Sequence, residues 1–179
     1  MDLGGGFGIK YNKKDKQVNL NNYAKLVYYF KKKLNCNIIF EPGRSLVGNT
    51  GILVSKIQYI KKGLNKNFVI IDAGMNDFMR TALYDASHDI VPVVKTNKKG
   101  QETLEFVGPI CETSCKFTKY KKYQKIKEGD FVAITNAGAY GSSLSSNYNT
   151  KPLIAEILAN KNNFKVIRKR QDLLKLINS

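Results

Sequence analysis

The apolar pattern changes period near residue 50, and that change limits what the chain can become. Before it, Tyr23, Leu26, Val27, Phe30 and Leu34 recur close to the helical period, which predicts an amphipathic helix over residues 22–34 with Asn22 as its N-cap. Directly afterwards, Asn37-Ile38-Ile39-Phe40 is a short apolar run with two adjacent β-branched residues. It reads as a buried strand that delivers Glu41-Pro42-Gly43-Arg44 at its C-terminal end. Loop, helix and strand in that order form the tail of an α/β crossover unit. Beyond Gly51 the runs shorten. Residues 52–60 read as a strand with Ile52, Val54 and Ile60 on one face and a break in register near Ile57. Residues 68–71, 103–106 and 131–134 are further strand candidates between turns rich in Gly, Asn and Lys. A short helix is expected after Pro152, and residues 166–177 should close the chain as a strand and then a helical turn, given Leu173, Leu174 and Ile177. The expected fold is an α/β fragment followed by a mainly-β domain, with the boundary near residue 50.

Composition excludes several classes. A hydrophobic share of 42% and a charged share of 25% are those of a globular chain. No apolar stretch approaches the roughly 20 residues that span a bilayer, and the N-terminus has no signal-peptide pattern, so neither membrane insertion nor export is expected. The net charge of +16 raises nucleic-acid binding. Its distribution argues against that: lysines are scattered through every segment, with short runs only at Lys31 to Lys33, Lys121-Lys122 and Arg168-Lys169-Arg170, and no nucleic-acid-binding motif accompanies them. Three cysteines and one histidine supply neither a disulfide framework nor a zinc site, so no metal is expected and reduced thiols fit a cytoplasmic protein.

Three short blocks carry chemistry. Gly4-Gly5-Gly6 lets backbone N–H groups converge on an anion, although three glycines alone are more often a tight turn. In Glu41-Pro42-Gly43-Arg44, the arginine offers a planar fork for phosphate or carboxylate, and the glutamate could bond a protonated ring nitrogen. A plain surface turn around Pro42-Gly43 is the competing reading. Cys111, in Gly108-Pro109-Ile110-Cys111-Glu112, has a thiol whose pKa lies within reach of neutrality and suits proton transfer. Cys36 and Cys115 read as small buried hydrophobes, and His88, with no partner visible in the sequence, as a structural residue. Arg80 taken alone is a solvated surface charge.

Read in order, these blocks together with Ser45-Leu46-Val47-Gly48-Asn49-Thr50-Gly51, the run from Asp72 through Arg80 and Tyr84 to His88, Asn136-Ala137-Gly138-Ala139-Tyr140-Gly141 and Asn147-Tyr148-Asn149 resemble the C-terminal part of the diaminopimelate decarboxylases nearly throughout. The resemblance implies a fold-type III pyridoxal-phosphate enzyme, a (β/α)8 barrel followed by a β-barrel-like domain. Residues 1–48 would then be the end of the barrel and residues 49–179 the second domain. It implies that Gly4, Gly5, Gly6, Gly43 and Arg44 hold the phosphate of pyridoxal 5'-phosphate, that Pro42 also contacts the cofactor, that Glu41 meets the pyridine nitrogen, and that Tyr140 touches cofactor and substrate. Arg44, Arg80 and Tyr84 would take the distal carboxylate of meso-diaminopimelate and Glu112 its ammonium. Cys111 would return a proton after carbon dioxide leaves. The family's active site is shared across a homodimer.

Two departures stand out. The lysine that forms an imine with the cofactor in the family would fall before Met1, so the chain is expected to work only with a separately made N-terminal half or to represent a truncated gene product. Cys115 replaces a usually acidic residue and puts one polar contact in doubt. A non-catalytic remnant, or a dimerisation or binding module, is the alternative. Joint retention of Arg44, Arg80, Cys111, Glu112 and Tyr140 favours catalytic use.

Overall fold

In the computed structural model, which describes residues 1–11, 15–95, 100 and 102–178, the first helix is α1 (Leu20–Leu34). Its cap is Asn19 rather than Asn22: the Asn19 side chain accepts from the Asn22 N–H at 3.0 Å, which satisfies one of the orphan donors of the first turn. The helix ends where Asn35 turns left-handed with φ 45°. No residue of α1 is buried. Its contact with the flanking segments is aromatic, the Tyr23 ring lying 5.0 Å from Phe7 and 5.8 Å from Phe40. The strand expected over residues 37–40 is reduced to one parallel bridge between Asp2 and Ile39, and Ile39 is exposed instead of buried. The Leu3 N–H donates to the Ile39 carbonyl at 3.0 Å and the Ile39 N–H to the Met1 carbonyl at 2.9 Å, and among the described residues no second strand pairs with the other edge.

A four-residue helix, α2 (Arg44–Val47), and a 3-10 turn at Gly48–Thr50 lead into the sheet. Six strands follow: β1 (Leu53–Lys61), β2 (Asn67–Ile71), β3 (Ile90–Pro92), β4 (Leu104–Val107), β5 (Lys116–Tyr120) and β6 (Phe131–Ile134), with the short helix α3 (Arg80–Tyr84) between β2 and β3. Their order is β3-β6-β1-β2-β4-β5, antiparallel except for the parallel pair β2 and β4. The expected break near Ile57 is a shift in register between the Ile57–Ile71 and Tyr59–Ile70 pairs. The face of β1 differs from expectation. Ile52 and Val54 point outward, while Ser55 and Ile57 are buried. Ser55 can be inside because its hydroxyl donates to Asp72 at 2.5 Å and accepts from the Ala73 N–H at 3.0 Å, leaving no buried polar group unmet there.

The sheet curls into a half-barrel whose two edge strands are joined by side chains. Tyr120 on β5 accepts from the Ile90 N–H of β3 at 2.7 Å, Tyr123 donates to the Ile90 carbonyl at 2.9 Å, and Thr118 donates to the His88 carbonyl at 2.7 Å. Side-chain hydroxyls thus meet backbone groups that an edge strand would otherwise present to solvent. Burial pushes the Tyr120 hydroxyl up to about 12, so it keeps its proton at neutral pH. Inside lie Ile57, Val69, Ile71, Phe106, Val132 and Ile134, all fully buried.

The C-terminal segment also corrects the expectation. In place of a helix after Pro152 there is a hairpin of β7 (Glu156–Asn160) and β8 (Asn163–Arg168), turning at Lys161 with φ 53°. A proline followed by Leu153, Ile154, Ile157 and Leu158 satisfies helical spacing, but the β-branched and aromatic residues of the returning strand favour pairing. The closing helix α4 (Leu173–Ile177) forms as expected, capped by Asp172.

Candidate functional site

Gly4, Gly5 and Gly6 lie beside the Glu41 to Arg44 run. The Glu41 N–H donates to the Gly4 carbonyl at 2.8 Å, and a β-carbon on Gly5 would sit 2.5 Å from the Glu41 carbonyl oxygen. Gly4 and Gly6 have φ of +64° and +83°, and a β-carbon on either would meet nothing within 4 Å. Backbone therefore borders open space at these two positions, in a conformation that glycine adopts without cost.

Arg44 opens α2, and the turn that follows is hydrogen-bonded to the loop after β6. The Gly138 N–H donates to the Gly48 carbonyl at 3.0 Å and the Ala137 N–H to the Gly51 carbonyl at 2.8 Å. These bonds hold the turn after α2 against the loop that ends in Tyr140. They set Arg44 and Tyr140 along one cleft of about 600 Å³, which Tyr11, Asp15, Arg80, Tyr84, Ala86 and Ser87 also line. Tyr140 holds φ at 57°, a left-handed conformation unusual for a tyrosine.

Arg80 is the charged centre of that cleft and is buried, not the surface charge it resembles in isolation. Its Nε donates to His88 Nε2 at 3.2 Å and its Nη2 to the Tyr11 hydroxyl at 3.0 Å. Three rings surround the guanidinium, Tyr11 and Tyr140 each 5.6 Å and Tyr84 6.0 Å from its centre. Arg44 faces the Tyr11 ring from 6.0 Å. Two guanidinium groups share this aromatic-walled cleft, and the rings offset part of the desolvation of each cation. His88 is buried between the Phe78 and Tyr11 rings, and its Nδ1 lies 2.9 Å from the Thr135 carbonyl. Burial, followed by the Arg80 charge, holds its pKa below the ordinary histidine value.

Cys111 and Glu112 stand apart from the residues that line the cleft. Both are exposed on the turn joining β4 to β5. Ile110 and Cys115 are buried beneath that turn, which closes through Gly108 N–H to the Cys115 carbonyl at 2.9 Å and Cys115 N–H to the Glu112 carbonyl at 3.0 Å. Cys115 Sγ accepts from the Met75 N–H at 3.4 Å. The thiol so fills a small buried niche, and Cys36 is only half-buried. The Tyr148 hydroxyl donates to Glu112 at 2.5 Å, and this bond raises the tyrosine pKa.

The structure thus gathers Arg44, Arg80, Tyr84 and Tyr140 at one cleft, and Gly4, Gly5, Gly6 and Glu41 along one backbone pairing; Cys111 and Glu112 share a separate surface. Tyr11, Asp15 and Tyr148 were not legible as site residues. Tyr11 lies in a Lys- and Asn-rich stretch that reads as loop, and only the fold brings it to Arg80.

Residues 11–138 match the family described as pyridoxal-dependent decarboxylase, C-terminal sheet domain, and the chain belongs to that family. It is similar to the diaminopimelate decarboxylase of Aquifex aeolicus, with 41% identity over 172 residues that cover 96% of this chain and 41% of that protein. Among solved structures it resembles the Helicobacter pylori diaminopimelate decarboxylase complexed with L-lysine, at 41% identity and a TM-score of 0.88, covering 99% of this chain and 43% of the other. The M. jannaschii diaminopimelate decarboxylase in complex with L-lysine superposes with a TM-score of 0.91 at 37% identity, covering 98% of this chain and 41% of its own. The chain spans about two fifths of the length of the curated relatives it matches.

Proposed function

We propose that the chain supplies the C-terminal part of a diaminopimelate decarboxylase, an enzyme that converts meso-2,6-diaminopimelate at its D-centre to L-lysine and carbon dioxide. The observation that carries this reading is the pairing of Arg44 and Arg80 in one aromatic cleft. A substrate with a second carboxylate calls for cations that a simple diamine substrate does not need. Residues 1–48 are read as the end of a (β/α)8 barrel and residues 49–179 as the second domain. The parallel bridge from Asp2 to Ile39 across the intervening α1 supports this, since a crossover helix between parallel strands is the barrel's repeating unit.

The residues fit pyridoxal 5'-phosphate. Open backbone at Gly4 and Gly6 leaves room for a phosphate to approach, and Pro42, Gly43 and Arg44 would close on it from the adjoining run. Glu41 would pair with the pyridine nitrogen. The cofactor, when bound, supplies the electron withdrawal that lets the carbon–carboxylate bond break. Arg44, Arg80 and Tyr84 orient the substrate by its distal carboxylate, and Tyr140 packs where cofactor and substrate meet. Glu112, steadied by Tyr148, takes the distal ammonium, and Cys111 Sγ delivers a proton to the carbon that has lost carbon dioxide. Because Cys111 and Glu112 lie on an exposed turn outside the cleft lining, they are read as serving the cleft of a second subunit in a homodimer. A cytoplasmic setting agrees with a biosynthetic role. Among the described residues no helix is long and apolar enough to cross a membrane.

The test uses the complete enzyme, meaning this chain together with the polypeptide that supplies the remaining length of its relatives. With pyridoxal phosphate it should release carbon dioxide and L-lysine from meso-diaminopimelate. Absence of lysine from a folded, cofactor-loaded assembly would overturn the reading.

A further inference from the structure

Thr135 contributes a carbonyl oxygen, which only accepts, so the His88 Nδ1 that lies 2.9 Å from it must carry the ring proton. Nε2 is then a bare acceptor, and the Arg80 Nε–H points at it from 3.2 Å. The ring has no room to choose otherwise. Phe78 and Tyr11 pack edge-on against it, with centroids 4.7 Å and 4.8 Å away, and His88 is 1% exposed.

This arrangement decides which edge of Arg80 a ligand can use. A guanidinium offers a carboxylate two forks, the side edge through Nε and Nη2 and the end edge through Nη1 and Nη2. His88 occupies Nε, which closes the side edge. Tyr11 takes one Nη2 hydrogen through its hydroxyl, and among the described residues no side chain or backbone group bonds the two Nη1 hydrogens or the second Nη2 hydrogen. We infer that His88 is a positioning residue for substrate selection, a neutral acceptor that fixes the Arg80 guanidinium so that only its end-on fork meets the distal carboxylate. The inference rests on the reading of Arg80 as that carboxylate's partner. Arginine loses less entropy per hydrogen bond when its fork is already oriented, so the gain appears in ground-state binding of the carboxylate and not in the bond-breaking step.

Three variants of the complete enzyme separate this role from simple packing. His88→Leu fills the volume with no acceptor. His88→Asn reaches only the Nδ1 position and keeps the Thr135 bond, and His88→Gln reaches the Nε2 position and keeps an acceptor for Arg80. The quantities measured are KM and kcat for meso-diaminopimelate, the Kd of L-lysine by calorimetry, and bound cofactor by absorbance. L-lysine retains the carboxylate in question. His88→Leu and His88→Asn are expected to raise KM and the L-lysine Kd together by roughly 10- to 100-fold, with kcat within about threefold and cofactor content unchanged, and His88→Gln to recover most of the loss. Should the leucine variant fail to fold, the asparagine and glutamine pair carries the same comparison. KM and Kd within about twofold of wild type in His88→Asn, or a glutamine variant as impaired as asparagine, would overturn the inference. A wild-type enzyme that neither binds L-lysine nor turns over diaminopimelate would instead sink the reading of the site on which it rests.

Discussion

Gly51 and Gly138 pack backbone against backbone: a β-carbon on Gly51 would lie 2.7 Å from the Gly138 Cα, and one on Gly138 would lie 1.9 Å from the Val47 carbonyl oxygen. No side-chain rotation relieves either contact, because the obstacles are main-chain atoms. This junction sets the turn after α2, the helix that carries Arg44, against the loop carrying Tyr140. Gly138→Ala is therefore expected to lower stability by about 1–3 kcal/mol or more through overpacking, and to weaken substrate binding as the two walls of the cleft part. Denaturant midpoints and KM measured together check it. A variant as stable as wild type would show that the junction yields.

Arg80→Lys keeps a cation but cannot bond His88 and Tyr11 simultaneously with a planar fork. Its KM for diaminopimelate should rise by about 1.5–3 kcal/mol of lost binding, while cofactor content stays the same. Equal KM in the two proteins would remove Arg80 from carboxylate recognition.

Cys111 is exposed, and the turn beneath it is held by Ile110 and Cys115. Cys111→Ala should accordingly leave the melting temperature and cofactor loading unchanged while kcat falls by about 10²- to 10⁴-fold, the usual worth of a positioned proton donor. Unchanged turnover would take the proton-delivery role away from this thiol.

The buried His88 makes stability depend on pH. Its folded pKa lies below the ordinary value of 6.5 because burial, and then Arg80, disfavour the charged ring. Between the two values the unfolded chain binds more protons than the folded one, so stability is fully present above about 6.5 and is lost as pH falls through the folded pKa. A melting temperature that drops from pH 7 to pH 5 in wild type, and drops less in His88→Gln, is the expected pattern. Identical slopes would mean that other groups carry the acid sensitivity.

Much of the sheet was legible because β2 and β6 carry short apolar runs at Phe68 to Ile71 and Phe131 to Ile134, and β4 interrupts its apolar residues only at Glu105, all three lying between turn formers. β3 and β5 were not. One has three residues and ends in Pro92, and the other, Lys-Phe-Thr-Lys-Tyr, is an edge strand whose polar side chains satisfy the opposite edge. The inward face of β1 was misread because Ile52 and Val54 are apolar yet outward, while the polar Ser55 is buried by its bonds to Asp72 and Ala73. Arg44, Arg80, Tyr84 and Tyr140 came from resemblance, and their shared cleft from the fold. His88 showed no partner in sequence because one lies 47 positions away at Thr135, and the other, Arg80, reaches it across the loop after α3. Spacing along a chain cannot reveal contacts made by chain reversal.

The most direct measurement offers the complete enzyme meso-diaminopimelate and L-ornithine in equal amounts, with pyridoxal phosphate, and follows the products. A cleft that pairs Arg44 with Arg80 predicts L-lysine and carbon dioxide from diaminopimelate, with putrescine nearly absent. Putrescine formed at a comparable rate would mean that the two arginines do not select for a distal carboxylate, and the assignment to diaminopimelate decarboxylation would fall.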